Sequence, residues 1–178
     1  QKDVYGLDAE FVMMGWRVPG SNDFLRSEVG DIVGDILYNG QAGLADLNLI
    51  QAQKVNGFYG FNYTRPDYGE FLLVGYPREG QTLDEVRDLM LGQVAKLRSG
   101  DFDESLIQSI LDNYKLSEMR KLESNEDMAM SFVESFINGH NWKDDALQMQ
   151  RLEKITKQQI VDWANEYLGA NSYVAVYK

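Results

Sequence analysis

The sequence predicts an α+β domain, with a mostly antiparallel sheet of about four to six strands and helices packed on one face. Three observations predict it. Strand-like segments are few and clustered: one near the start, two in tandem mid-chain and one at the end. Amphipathic stretches with explicit start signals fill most of the remainder. The resulting order, β, α, α, β, β, four or five α, β, lacks the strict strand–helix alternation of a doubly wound sheet.

Leu7 to Val18 reads as the first strand, Leu7, Ala9, Phe11 and Met13 alternating with Asp8, Glu10, Val12 and Met14. Pro19-Gly20 stops it, and Ser21-Asn22-Asp23 offers helix caps. Phe24 to Tyr38 reads as a helix burying Leu25, Val29, Ile32, Val33, Ile36 and Leu37, with Asn39-Gly40 as a left-handed end. Leu44 to Val55 carries a shorter helical pattern through Leu47, Leu49 and Ile50.

Gly57 to Thr64 and Phe71 to Tyr76 read as an antiparallel hairpin around the turn Arg65-Pro66-Asp67-Tyr68-Gly69. Of its aromatics, Phe58, Tyr59, Phe61, Tyr63 and Tyr68, half are expected in the core. The others would form a patch for a peptide or a neighbouring domain.

The capping box Thr82-x-x-Glu85 opens a helix to about Arg98, closed by Ser99-Gly100. Asp103 opens another through Leu106, Ile107, Ile110, Leu111 and Tyr114, reaching Leu122. Ser124-x-x-Asp127 resembles a box for Met128 to Ile137, ended by Gly139. Thr156-x-x-Gln159 opens the last helix, where Ile155 staples onto Ile160. Ile160, Val161, Ala164, Tyr167 and Leu168 form its buried face, Gly169 ends it, and Ser172 to Tyr177 is the final strand. No internal repeat, low-complexity segment or linker divides the chain, so residues 1–178 read as a single domain. The start at Gln1 and the end at Tyr177-Lys178 read as cuts within a longer multi-domain chain.

Composition narrows the chemistry. The net charge of −11 repels phosphate backbones, which argues against a nucleic-acid partner. No cysteine is present, so disulfides, thiol catalysis and cysteine-ligated zinc are excluded. No apolar run approaches the ~18 residues of a membrane span, and no signal peptide precedes the first strand.

The one histidine, His140, cannot by itself supply the two or three histidines of a typical zinc site, and reads as a loop residue near a helix end. A Ser-His-Asp triad would have to use it, yet no serine lies in a Gly-x-Ser-x-Gly turn. The carboxylates Glu118, Glu123, Glu126, Asp127, Glu134, Asp144 and Asp145 read as solvated helix faces. Acid–base work would need a cleft that separates their pKa values. Gly40 and Gly43 fit neither a dinucleotide fingerprint nor a phosphate loop. Gly40, Gln41 and Gly43 are therefore either an interhelical turn or a loop facing substrate.

Four stretches carry a family resemblance. They are Asp31-Ile-Val-Gly-Asp-Ile-Leu-Tyr-Asn-Gly-Gln-Ala-Gly-Leu44, Gly75-Tyr-Pro-Arg-Glu-Gly-Gln-Thr-Leu-Asp-Glu85, Leu97-Arg-Ser-Gly-Asp-Phe-Asp-Glu104, and Ile155-Thr-Lys-Gln-Gln-Ile-Val-Asp-Trp-Ala-Asn-Glu-Tyr-Leu168 followed by Tyr173-Val-Ala-Val176. Their order over most of the chain resembles the non-catalytic domain of pitrilysin/insulinase-like zinc peptidases, the inverzincin family that includes the mitochondrial processing peptidases. The resemblance implies a sheet backed by helices, repeated along a parent chain whose halves close around an extended peptide. It implies zinc in the parent, held by a His-x-x-Glu-His domain, and none in this fragment. Partners so implied are the neighbouring catalytic domain of the same chain and a peptide substrate. A periplasmic or exported location follows from the family's bacterial members.

No catalytic residue carries over. The Leu-Arg and Tyr found after the glycine-rich loop in many members correspond here to Leu49-Ile-Gln-Ala-Gln-Lys-Val-Asn-Gly-Phe58, which has no arginine. The resemblance thus implies a supporting domain of a zinc-dependent metalloendopeptidase, following the zinc-binding domain, lining the chamber and inactive alone. The alternative is a catalytically inactive scaffold or interaction subunit of the same fold, since fold and chemistry separate readily. A free-standing enzyme using surface carboxylates is the third reading.

Overall fold

The computed structural model describes residue 6 and residues 9–178. Among them four strands form one antiparallel sheet in the order β2-β3-β1-β4. The strands are β1 (Val12–Pro19), β2 (Gly57–Thr64), β3 (Tyr68–Tyr76) and β4 (Val174–Tyr177). Four is the lower end of the expected range. The first strand starts at Val12: residues 9–11 lie outside it, although Phe11 still exchanges backbone hydrogen bonds with Lys178. Leu7 and Asp8 lie outside the described residues.

Alternation sorts the sheet into two faces. Val12, Met14, Trp16 and Val18 of β1, Phe58 of β2, and Phe71 and Leu73 of β3 point into the core. The helices cover this face. They are α1 (Phe24–Leu37), α2 (Leu83–Ser99) and α7 (Lys157–Tyr167), and they bring in Ile32, Val33 and Ile36, then Val86, Met90 and Leu97, then Ile160, Trp163 and Ala164. Phe71 meets Trp16 and Trp163 edge-on, at centroid distances of 6.5 and 5.8 Å. Both indoles are satisfied, Trp16 Nε1 donating to Gly169 O at 3.0 Å and Trp163 Nε1 to Arg26 O at 2.8 Å.

The local start signals act as written. Thr82 with Glu85 and Thr156 with Gln159 form reciprocal capping boxes, and Gly100 takes the left-handed conformation after α2. Ile155 and Ile160 are both buried, as a staple requires. Ser124 caps α4 (Asn125–Ile137) by accepting from Asp127 N, and α3 (Ser105–Leu122) begins after Asp103, whose carboxylate accepts from Ser105 N. Two short helices follow α4, α5 (Trp142–Asp145) and α6 (Gln148–Leu152), so more helical pieces separate β3 from β4 than expected.

Some expectations are corrected. Leu25 is exposed rather than part of the buried face of α1. That helix ends at Tyr38 in an extended conformation, with Gly40 the left-handed residue two positions later. The segment after the glycine loop buries Leu44 and Ala45 and is then wound as a π-helix (Asp46–Gln51), which buries Leu49 and exposes Leu47. Of the hairpin aromatics singled out, Phe58 alone is buried. Tyr59, Phe61, Tyr63 and Tyr68 share the parity of the open sheet face and are exposed there.

Candidate functional site

Two places gather polar chemistry: the glycine loop after α1 and a cleft behind that helix. The loop is a hydrogen-bonded turn built by two side chains. Asn39 Oδ1 accepts from Gln41 N at 3.0 Å and Ala42 N at 2.9 Å. The buried carboxylate of Asp46 accepts from Asn39 N at 3.0 Å and Gly43 N at 2.9 Å. Gly40, at φ +79°, and Gln41 face solvent at the tip. Gly43 is buried at the base, where a Cβ would stand 2.8 Å from Leu37 O. Gln51 Nε2 donates to Gln41 O at 2.9 Å, bracing the tip from the π-helix. The ring of Tyr38 bridges this loop to β2, 5.7 Å from Phe58 and 5.8 Å from Tyr59.

The cleft, of about 460 Å³, lies between α1, α3, α4 and the short helices. α1 contributes Glu28 and Asp31 to its wall, and Asp35 follows Asp31 one turn further along the helix, outside the lining. Glu28 is buried and held by Arg151, whose Nε donates at 3.0 Å to each carboxylate oxygen. Burial raises the Asp31 carboxyl to about 6. Asn62 Nδ2, donating to Asp31 Oδ1 at 2.9 Å, opposes that rise, while Asp35 and Glu28 add to it. Burial also raises Asp35, against a hydrogen bond from Tyr114. Asn62 Oδ1 is itself buried without a partner among the described residues.

These α1 carboxylates escaped the sequence reading, which treated acids as solvated faces. The available signal was an acidic stripe running beside the apolar one in the same helix. Of the carboxylates named from sequence, Glu118, Glu134 and Asp145 line the cleft; Asp145 pairs with His140, and Glu118 accepts from Lys121 on its own helix.

His140 sits at the cleft's mouth, its ring 4.3 Å from that of Phe24. Nδ1 lies 3.0 Å from Asp145 Oδ1, and Nε2 lies 2.9 Å from the backbone oxygen of Ser21. Ser21, His140 and Asp145 are therefore neighbours, but no catalytic triad results. Nε2 is spent on the Ser21 carbonyl, while Ser21 Oγ is buried without a partner among the described residues. Nor do the donors fit zinc. Among the described residues no group of three or more His, Cys, Asp or Glu could hold a metal ion, and both nitrogens of the one histidine face fixed protein acceptors.

No protein-family model and no curated protein sequence matches this chain. Solved structures do. A protease from Helicobacter pylori superposes with a TM-score of 0.89 at 19% identity, covering 98% of this chain and 42% of that one. The inactive peptidase domain of a candidate zinc protease from Bordetella parapertussis gives 0.82 at 15% identity, covering 98% and 94%. The peptidase M16 inactive domain from Pseudomonas fluorescens gives 0.78 at 13% identity, covering 96% and 40%. This chain spans less than half the length of the first and third of these. The chain has the fold of these solved protease domains, two of which are described as inactive peptidase domains.

Proposed function

We propose that this chain is the supporting domain of a zinc-dependent metalloendopeptidase. It packs against the catalytic domain of the same polypeptide, lines part of the substrate chamber and presents the Gly40-Gln41 tip of its glycine loop to an extended peptide. One observation carries the reading: the fold matches domains described as inactive peptidase domains. Two solvent-facing features suit the proposed place, namely the open sheet face with Tyr59, Phe61 and Tyr63 and the loop beside it, which Tyr38 joins to that face. The zinc and the general base belong to the neighbouring domain. This chain contributes shape and exclusion of water.

The test is peptide hydrolysis by three preparations: the parent polypeptide, the parent lacking this segment, and this segment alone. Zinc-dependent cleavage by the parent only supports the proposal. Cleavage by the segment alone overturns it, and a folded parent that binds no zinc and cleaves nothing points instead to a scaffold.

A further inference from the structure

Asn-Gly occurs three times in the chain, at Asn39-Gly40, Asn56-Gly57 and Asn138-Gly139. The pairing is chemically labile, because glycine has no Cβ to keep its nitrogen away from the preceding side-chain amide. The fold treats the three sites differently.

At Asn39 the fold holds the reacting groups together. Its Oδ1 accepts from Gln41 N at 3.0 Å and Ala42 N at 2.9 Å, so the side chain lies folded over the Gly40 peptide. Gly40 N has no hydrogen-bond partner among the described residues. Gly40, Gln41 and Ala42 are exposed, so water reaches the turn. Asp46, accepting from Asn39 N and Gly43 N, pins both of its ends.

The other two sites lack this arrangement. Gly139 N donates to Phe136 O at 3.1 Å, which occupies the nitrogen that would attack. Gly57 opens β2 opposite Tyr76, and Asn56 N donates to Tyr76 O at 2.9 Å, so the sheet fixes that peptide. Among the described residues no N–H donates to the side-chain oxygen of Asn56 or Asn138.

We propose that Asn39 is a self-modification site, at which the Gly40 nitrogen turns the side-chain amide into a succinimide that water opens to aspartyl and isoaspartyl forms. Gly40 N gives its proton to water or hydroxide and forms a bond to Asn39 Cγ, closing the ring. The carbonyl electron pair moves to Oδ1, where the Gln41 and Ala42 N–H groups already donate and stabilise the oxyanion as it develops. The pair then returns, the Cγ–Nδ2 bond breaks, and Nδ2 leaves as ammonia after taking a proton from water. Water that adds at Cγ and breaks its bond to the Gly40 nitrogen gives aspartate. Water that adds at the main-chain carbonyl gives isoaspartate, with the backbone rerouted through Cβ and Cγ. Either product adds a negative charge next to the buried Asp46 carboxylate. The inference goes beyond the supporting-domain reading and does not depend on it.

The test incubates the protein in mildly alkaline buffer, folded and, in parallel, unfolded in guanidinium chloride. Circular dichroism verifies each state, and peptide mapping by mass spectrometry follows each asparagine. Asn39→Asp supplies the aspartyl standard. In the folded protein Asn39 is expected to convert about tenfold or more faster than Asn56 and Asn138. In denaturant that preference is expected to disappear. Asn56 or Asn138 keeping pace with Asn39 in the folded protein overturns the proposal. A preference that survives in denaturant also overturns it, by assigning the selectivity to local sequence rather than to the loop. Asp46→Ala tests the geometry separately, since it releases both ends of the turn. Slower conversion of Asn39 is expected; unchanged or faster conversion overturns the role of the held turn.

Discussion

Arg151 grips Glu28 across 123 residues of sequence, its Nε 3.0 Å from both carboxylate oxygens. The same guanidinium lies over the Phe24 ring, 5.2 Å from its centroid, and donates from Nη1 to Asp144 O at 2.6 Å. One side chain thus ties α5 and α6 to the start of α1, beside the cleft that Phe24 and Glu28 line.

Arg151→Met is expected to destabilise the chain by about 3 kcal/mol, because it leaves the buried Glu28 carboxylate without its counter-charge. The double variant Arg151→Met with Glu28→Gln should recover much of that loss. Urea unfolding of the two variants checks both statements. A single variant as stable as the parent sequence would mean that the pair contributes nothing.

Asp31 makes stability depend on pH with an unusual sign. Burial raises its carboxyl from the ordinary 3.8 to about 6, so the folded chain holds this proton more tightly than the unfolded chain. Its contribution is fully present below 3.8 and is lost as pH rises through 6. Asp31→Asn is expected to stabilise the protein at pH 7 by about 1–2 kcal/mol, with the gain vanishing near pH 4. The new amide also offers a donor to the unpartnered Asn62 Oδ1. Melting temperatures of both proteins from pH 4 to 8 are the readout; parallel curves would refute it.

The glycine loop separates stability from substrate contact residue by residue. Asp46→Ala removes the acceptor of two backbone N–H groups and should cost about 1–3 kcal/mol. Gly43→Ala should cost a similar about 1–3 kcal/mol, since its Cβ would press on the Leu37 backbone. Gln41→Ala, at the exposed tip, should change stability by less than about 0.5 kcal/mol. If the tip meets substrate, Gln41→Ala raises KM for peptide in the parent polypeptide without moving Tm. Unchanged kinetics would remove the tip from the substrate's path.

The parts of the fold visible in the sequence are those whose physics is local. Capping at Thr82 and Thr156 acts over three residues, and the 3.6-residue period of α1, α2 and α7 announces the faces that meet the sheet. Strand parity was equally local, yet the hairpin's exposed face holds most of its aromatics because Tyr59, Phe61 and Tyr63 share one side. What stayed hidden depends on topology. Nothing near Glu28 announces Arg151, and nothing near Asp31 announces that Asn62 of β2 will bond it. His140 likewise reads as a lone loop residue until the chain brings Ser21 and Asp145 to its two nitrogens. Which side of α4 faces inward is likewise decided by the cleft beneath it.

The central claim is that this domain supports a zinc site it does not contain. Elemental analysis of zinc per chain, on the parent polypeptide and on this 178-residue chain purified side by side, tests it most directly. The account predicts one zinc per parent chain and none retained by this chain after dialysis. Stoichiometric zinc held by this chain alone would contradict it.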